Sequence, residues 1–309
     1  MDVIKTKQGI EILLPKIDFI FKTIFGDEHN RPLLKSFLQA VLCLGEDEFE
    51  IELVNPYLQP VAKDGKLCIL DVKIRTKTGK LIDIEMQIIH TANIFERICF
   101  YKAKMLVEQV GTGESYDRIK KVINIVITDF SFIESGNEET KGTVPYHHCF
   151  RLYDPQDGAY FGDVEEIHTL ELPKLPLESD DTAIWNWVKY LGVRTEEDLT
   201  MLAEKSEVLR HAVSELYRVS ASDELRYAYE AREKAWRDEK DRMDSALNQG
   251  RAEGIAKGRA ESKAQIEQLE SEKEQFKTEK EQLESEKEQF KSENERLRRE
   301  LARLGQNHA

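Results

Sequence analysis

The sequence has few cysteines and lacks the long apolar runs of secreted and membrane proteins. The N-terminal segment has no uninterrupted apolar region of the kind found in signal peptides. No run approaches the roughly 18 apolar residues that a membrane span requires. None of the cysteines lies at metal-ligand or redox spacing; there are four, Cys43, Cys68, Cys99 and Cys149. These absences predict a reduced cytoplasmic protein with no membrane segment.

The chain also lacks an excess of positive charge. Its formal net charge is −14, with 34% charged and 40% hydrophobic residues among 309. An acidic protein repels nucleic acid at long range, so a DNA contact would need a local basic patch and bound metal ions. The length predicts about two structural units, and the high charge indicates that part of the chain is solvated helix.

The first part of the chain mixes helical and strand patterns. Apolar residues recur at helical spacing over 18–44, with a break at Gly26-Asp27, and again over 93–110. Strand patterns cover 67–75, 80–89, 121–130 and 147–154, of which 121–130 is typical of a central strand covered on both faces. Strands mixed with helices predict an α/β or α+β domain, to which we assign residues 1–178.

The second part is predicted to be helical throughout. We assign residues 179–245 to a helical extension and residues 246–309 to a joint, marked by Gly250, Gly254 and Gly258, followed by a coiled coil. Six apolar residues of the tail fall seven apart, the spacing of heptad position d: Leu269, Phe276, Leu283, Phe290, Leu297 and Leu304. Lysine and asparagine at most a positions favour two strands, so we predict a homodimer through residues 262–304. A single charged helix in water is the alternative.

Two strand patterns form a hairpin whose register decides where its polar residues lie. A three-residue loop ending in Gly79 places the glycine where such loops need a left-handed residue. This loop pairs Asp71 with Glu85, and Lys73 with Asp83, on one face. Gln87 lies two residues beyond Glu85 and points to the same side.

Opposed carboxylates in a sheet repel each other unless a positive group lies between them. A divalent cation fits this place because hard cations prefer oxygen ligands, and it can activate water for attack on a phosphoryl group. The pattern alone leaves two interpretations open, a metal site at Asp71 and Glu85 or an ordinary solvated hairpin face.

Four segments in order resemble the Rpn family of recombination-promoting nucleases and transposases, within the PD-(D/E)XK nuclease superfamily. They are DFIFKTIFGDEHNRPLLKSFLQAVL, ILDVKIRTKTGKLIDIEMQ, ERICFYKAKMLVEQVGTGESY and VINIVITDF. The resemblance extends over about residues 17–232 and excludes the heptad tail. It implies an α/β fold with a restriction-endonuclease-like core, in which a mixed central sheet is flanked by helices.

The resemblance also implies roles for the hairpin residues. Asp71 and Glu85 would bind Mg²⁺ or Mn²⁺, and Gln87 would complete the catalytic set. Gln87 stands where the superfamily usually has lysine, which puts the activation of water in doubt. Lys73, on the same face, could supply the positive charge.

Three further residues are accessory candidates. Asp18, at the start of the first helix, could help to hold a metal or could be an N-cap. Arg97 and Tyr101, one helical turn apart, could contact phosphate, or could form a salt bridge and a core edge.

His147 and His148 are adjacent in a strand, so they point to opposite faces and are poor joint ligands.

The resulting hypothesis is a metal-dependent DNA endonuclease linked to recombination or mobile elements. It acts on phosphodiester bonds, and a dimer would set two sites on one duplex. The alternative is a catalytically inactive nuclease fold that binds DNA or acts as a scaffold through its coiled coil. The acidic net charge and the missing lysine favour this alternative.

Overall fold

The computed structural model describes residues 3–45, 48, 50–58, 68–134 and 144–306. The chain divides into two compact units, Met1–Arg232 and Glu233–Ala309. The strands are β1 Ile4–Lys5, β2 Glu11–Ile12, β3 Ile51–Leu53, β4 Tyr57–Leu58, β5 Cys68–Ile69, β6 Val72–Thr76, β7 Leu81–Gln87, β8 Val122–Thr128, β9 His147–Phe150 and β10 Glu165–Glu171. The helices are α1 Asp18–Phe25, α2 Arg31–Leu42, α3 Ile94–Val107, α4 Ala183–Leu191, α5 Glu196–Lys205, α6 Glu207–Ser220 and α7 Asp223–Gln306.

The first unit is built on a mixed sheet of six strands in the order β3-β6-β7-β8-β10-β9. The central strand β8 pairs in parallel with β7 and with β10. The pairs β3–β6, β6–β7 and β10–β9 are antiparallel. All seven residues of β8 are buried, as predicted for a central strand. The predicted mixed sheet flanked by helices is confirmed.

Helices cover both faces of the sheet. One face presents Ile74, Ile84 and Ile125 to the main apolar core, to which α1, α2, α4, α5 and α6 also contribute. The other face packs against α3, the helix that connects β7 to β8. The predicted polar face of the hairpin is therefore not solvated, because Asp83 and Glu85 are 0% and 5% exposed.

Two local predictions need correction. The strand predicted over 67–75 is interrupted at Leu70-Asp71, which separates β5 from β6; Leu67 lies outside the described residues. Asp18 is the first residue of α1 and not its N-cap, which is Ile17. α7 is helical through Gly250, Gly254 and Gly258, and the flexible or weakly helical joint predicted there stays a prediction.

Helices α4, α5 and α6 and the first turns of α7 belong to the first compact unit, which continues to Arg232. α6 packs against α1 and α2, and Ser220 near its end accepts a hydrogen bond from the Leu13 N–H at 2.9 Å. The predicted domain boundaries at residues 178 and 245 stay predictions. Among the described helices, none is apolar over a length sufficient to cross a bilayer.

The second unit consists of the remainder of α7. Its heptad residues are exposed along one stripe of the helix. Leu269, Phe276, Leu283, Phe290 and Leu297 are between 52% and 70% exposed, and the side chain of Leu304 lies outside the described residues. A continuous helix with an exposed apolar stripe is the structure that the heptad pattern predicts for one strand of a coiled coil.

Candidate active site at the end of the hairpin

The predicted hairpin register is confirmed. Lys73 lies opposite Asp83, and the Thr76 N–H donates to the Lys80 carbonyl oxygen at 3.0 Å, which closes the three-residue loop. Gly79 has φ of +88°, a backbone conformation that side chains with a Cβ rarely adopt. The turn therefore fixes the side of the sheet on which the carboxylates lie.

Two hydrogen bonds between backbone and side chain hold Asp71 beside Glu85 and its neighbour Met86. The Asp71 N–H donates to Glu85 Oε1 at 3.2 Å. In return, the N–H of Met86 donates to Asp71 Oδ2 at 2.8 Å. Because Asp71 lies between β5 and β6 and in neither strand, its N–H is available to the Glu85 side chain. The two carboxylates are thereby held near each other at the end of the hairpin.

Burial sets the protonation of this pair. Burial, followed by the negative charge of Asp71, raises the pKa of Glu85 to about 8, against a lowering influence of Arg97. Burial also raises the pKa of Asp71, while a hydrogen bond from Lys22 lowers it. A nearby cation stabilises the charged form of carboxyl groups whose pKa values are raised in this way.

Lys22 is the lysine that contacts this pair. Its Nζ lies 2.8 Å from Asp71 Oδ1, and its side chain is 38% exposed. Lys73, which the sequence offers as a candidate source of the positive charge, directs its ammonium group to Glu108. Sequence reasoning missed Lys22, although it lies four residues after Asp18, on the same face of a predicted helix.

Gln87 and Arg97 complete the contacts of Glu85. The Gln87 Nε2 donates to Glu85 Oε2 at 3.1 Å. Arg97 Nη2 lies 3.7 Å from the same oxygen, and its guanidinium group stacks over the Tyr101 ring, 5.2 Å from the centroid. Arg97 thus forms the salt bridge that was one of its two predicted roles, and Tyr101, itself on α3, is buried in an apolar cluster with Leu81 and Val122 of the sheet.

Asp18 lies near the carboxylate pair, at the start of α1. Its carboxylate accepts a hydrogen bond from the Phe19 N–H at 2.9 Å. Its negative charge is among the influences that raise the pKa of Asp71. The structure therefore places Asp18 within electrostatic range of Asp71, and its accessory role stays a prediction.

A narrow cavity lies between the sheet and α3, behind the carboxylate pair. Asp83, Glu85, Arg97 and Asn124 are among the residues that line it. Asp83 Oδ2 accepts a hydrogen bond from Asn124 Nδ2 at 2.9 Å, whereas Asp83 Oδ1 and Asn124 Oδ1 have no partner in the part of the chain that is described. Burial, then the charges of Glu85 and Asp71, raise the pKa of Asp83 well above its usual value. Asp83 is the second residue here that sequence reasoning did not assign to the site.

The donor set fits a hard divalent cation. Asp71 and Glu85 offer carboxylate oxygens, and the buried oxygens of Asp83 and Asn124 provide further polar atoms behind them. Among the described residues, Asp71 and Glu85 do not form, with a third histidine, cysteine or acidic residue, a group whose ligand atoms all lie within 4.8 Å of one another. Mg²⁺ suits such a site because it keeps several waters and often binds one or two carboxylates.

A family model described as PD-(D/E)XK nuclease family transposase matches residues 15–246, which include the sheet, the carboxylate pair and α1 to α6. No curated protein and no solved structure matches significantly. Nucleases of this family generally use divalent metals, and the family implies DNA as the substrate. The match extends over well more than half of the chain, which therefore belongs to the PD-(D/E)XK nuclease family transposases.

Proposed function

We propose that this chain is a metal-dependent endonuclease that hydrolyses phosphodiester bonds in DNA, with Asp71 and Glu85 as ligands of Mg²⁺ or Mn²⁺. The main support is the pair of hydrogen bonds, from the Asp71 N–H to Glu85 and from the Met86 N–H to Asp71, that holds these two carboxylates at the end of the hairpin. Both pKa values are raised by burial, so a divalent cation would relieve the cost of their negative charges. Such an ion would supply an activated water and stabilise charge on the phosphoryl group.

The remaining side chains act on the geometry and charge of the site. Gln87 holds one oxygen of Glu85 in place and is the candidate for orienting the attacking water. Lys22 neutralises part of the charge on Asp71 and lies close enough to the pair to stabilise a phosphoryl oxygen. Arg97 is 39% exposed beside Glu85, which suits a phosphate contact.

We also propose that the chain acts as a homodimer assembled through residues 262–304. Five described d residues are exposed along the helix, so a second copy would bury them. In a parallel pair, Glu272–Lys277, Glu286–Lys291 and Glu293–Arg298 would be attractive, while Glu279–Glu284 would be repulsive. Two copies would bring two nuclease units to one duplex, which suits cleavage of both strands.

The test is cleavage of supercoiled plasmid by the purified full chain with Mg²⁺, with Mn²⁺ or with EDTA, beside Glu85→Gln. We expect nicking that depends on the metal and is lost in the variant, which keeps the side-chain shape but removes the charge. A folded protein that cuts no DNA under any of these conditions would favour the alternative, a nuclease fold that binds DNA or acts as a scaffold without cleaving it.

A further inference from the structure

A second group of metal-ligating side chains lies on the antiparallel pair β9–β10, at the edge of the sheet. Cys149 stands directly opposite His168 in the register. Because side chains alternate along a strand, His147 shares the face of Cys149, and Glu166 shares the face of His168. His148 points to the opposite face, as predicted from its position next to His147.

This group lies on the other side of the sheet from the carboxylate pair. In the parallel registers, Glu85 aligns with Val126 and Val126 with Thr169, so these three share one face. Glu166 and His168 alternate with Thr169 and therefore face the opposite side. The group is thus separate from the proposed nuclease site.

The contacts converge on one oxygen of Glu166. His168 Nε2 lies 2.7 Å from Glu166 Oε1, and Cys149 Sγ lies 3.1 Å from the same oxygen. Cys149, Glu166 and His168 form the one group of three or more such residues in the described chain whose ligand atoms all lie within 4.8 Å of one another. A thiol, an imidazole and a carboxylate together form a donor set typical of Zn²⁺ and poorly suited to Mg²⁺.

We propose that Cys149, Glu166 and His168 bind a transition-metal ion, for which Zn²⁺ has the matching chemistry, and that His147 orients His168 as a ligand. His147 Nε2 lies 2.8 Å from His168 Nδ1. A ligating imidazole commonly donates its second N–H to such a partner, which fixes the ring and directs the other nitrogen to the metal. Cys149 is exposed, so solvent can complete the coordination.

Metal binding changes the protons of the group in a defined way. The thiol proton of Cys149 goes to solvent as the metal–sulfur bond forms, so one proton is released. The imidazole of His168 stays neutral but carries its proton on Nδ1, where it donates to His147 Nε2. His147 accepts this bond as a neutral ring with its own proton on Nδ1, so the two rings together gain or lose none.

Two basic residues compete for Glu166. Lys121 forms an ion pair with Oε2, the oxygen that points away from the cysteine and the imidazole. Arg151 Nη2 lies 3.0 Å from Oε1, the oxygen that the metal would take, and its side chain is 42% exposed. Arg151 therefore has to move aside when the metal binds, and it weakens metal binding.

The test is titration of the full chain with Co²⁺ in excess Mg²⁺, which occupies oxygen-ligand sites. The readout is the near-ultraviolet absorption from thiolate-to-cobalt charge transfer. In the wild type we expect this absorption to saturate at one Co²⁺ per chain and to disappear when Zn²⁺ is added. In Cys149→Ser we expect the absorption to be absent. Cys99→Ser is the matched control, because Cys99 is also an exposed thiol but lies on α3, outside the group.

Two further variants separate a metal site from a hydrogen-bond network. His147→Ala is expected to weaken Co²⁺ binding by about 10- to 100-fold, as for other residues that orient a ligand. Arg151→Gln is expected to tighten binding, because it removes the competing cation. Absence of the charge-transfer absorption in folded wild type, or its persistence in Cys149→Ser, would overturn the proposal.

Discussion

The N–H of Asp71 donates a hydrogen bond to the side chain of Glu85, and the side chain of Asp71 accepts one from the N–H of Met86, the residue after Glu85. Each carboxylate is therefore oriented by the backbone beside the other one. Geometry of this kind does not depend on the charge of either side chain. A neutral amide at either position would keep the shape of the site and lose its affinity for a cation.

We expect Asp71→Asn to lower metal-dependent cleavage by about 100-fold or more, the scale of losing one charge-stabilising group from a reacting centre. The amide oxygen can still accept the Met86 N–H, so the circular dichroism spectrum should match the wild type. Initial rates of plasmid nicking at saturating Mg²⁺ provide the measurement. Unchanged cleavage in this variant would remove Asp71 from the reacting centre.

The raised pKa of Glu85 predicts how stability depends on pH. Its pKa is about 8 in the folded protein and 4.5 ordinarily, so the folded state binds the proton more tightly. The contribution to stability is therefore present below pH 4.5 and is lost as pH rises through about 8. We expect the free energy of unfolding, measured with urea and EDTA, to fall from pH 5 to pH 8.

Two comparisons assign this fall to Glu85. Glu85→Gln should reduce it, although Asp71 and Asp83 also have raised pKa values and will contribute some of it. Mg²⁺ should stabilise the wild type more at pH 8 than at pH 5, because it competes with the proton for the carboxylate. Parallel pH profiles of the wild type and the variant would show that the ionisation of Glu85 does not control stability.

The structure and the sequence point to different lysines, Lys22 and Lys73, as the one that supports cleavage. Lys22 contacts Asp71 at 2.8 Å, whereas Lys73 pairs with Glu108. A charge-assisted hydrogen bond contributes about 1.5–3 kcal/mol, so Lys22→Gln should lower the cleavage rate about 10- to 100-fold. Lys73→Gln should have a smaller effect.

Metal affinity distinguishes a catalytic role of Lys22 from a structural one. Removing a cation from beside Asp71 should leave Mn²⁺ binding unchanged or tighter, while cleavage falls. Binding can be followed by isothermal titration, and Lys22→Arg should restore part of the rate. A larger loss in Lys73→Gln than in Lys22→Gln would return the role to Lys73, as the sequence predicts.

The hairpin could be predicted because its signals are local. The alternation of apolar residues and the glycine at the end of the loop together determine the register that places Asp71 opposite Glu85. Lys22 could not be predicted in the same way, because its contact with Asp71 joins residues 49 positions apart and depends on how α1 packs. The burial of Asp83 could not be predicted either, since it results from the docking of α3 on the sheet.

The edge of the sheet shows a similar limit of sequence reasoning. Cys149 and His168 are neighbours only because β9 and β10 pair across an intervening loop. Spacing along the chain, by which cysteine and histidine ligands are usually recognised, contains no sign of this pairing. The heptad stripe could be predicted from the sequence, because all of its residues lie on a single helix and their spacing along the chain determines their position on it.

A buried serine tests whether the helices after residue 178 fold together with the sheet. Ser220 Oγ accepts the Leu13 N–H at 2.9 Å and donates to the Leu216 carbonyl oxygen at 2.6 Å. Ser220→Ala would leave the Leu13 N–H buried without this partner, which costs about 1–3 kcal/mol. We expect one cooperative urea transition at lower denaturant for the variant, with Ser214→Ala, at an exposed position of the same helix, as the matched control. Two separate transitions would support a boundary near residue 178.

The proposed dimer can be tested at the centre of the heptad stripe. Phe276 and Phe290 are 70% and 64% exposed on one helix, so a dimer would remove both from water. We expect the double variant Phe276→Glu/Phe290→Glu to be monomeric at concentrations at which the wild type is dimeric by sedimentation equilibrium, because four glutamates would face each other in the seam. Thr278→Glu/Ser292→Glu is the matched control, since these positions follow the same seven-residue repeat on the outer face of the helix. If the wild type is monomeric, or if both double variants behave alike, the apolar stripe does not join two copies, and the two nuclease sites required for double-strand cleavage must be brought together in another way.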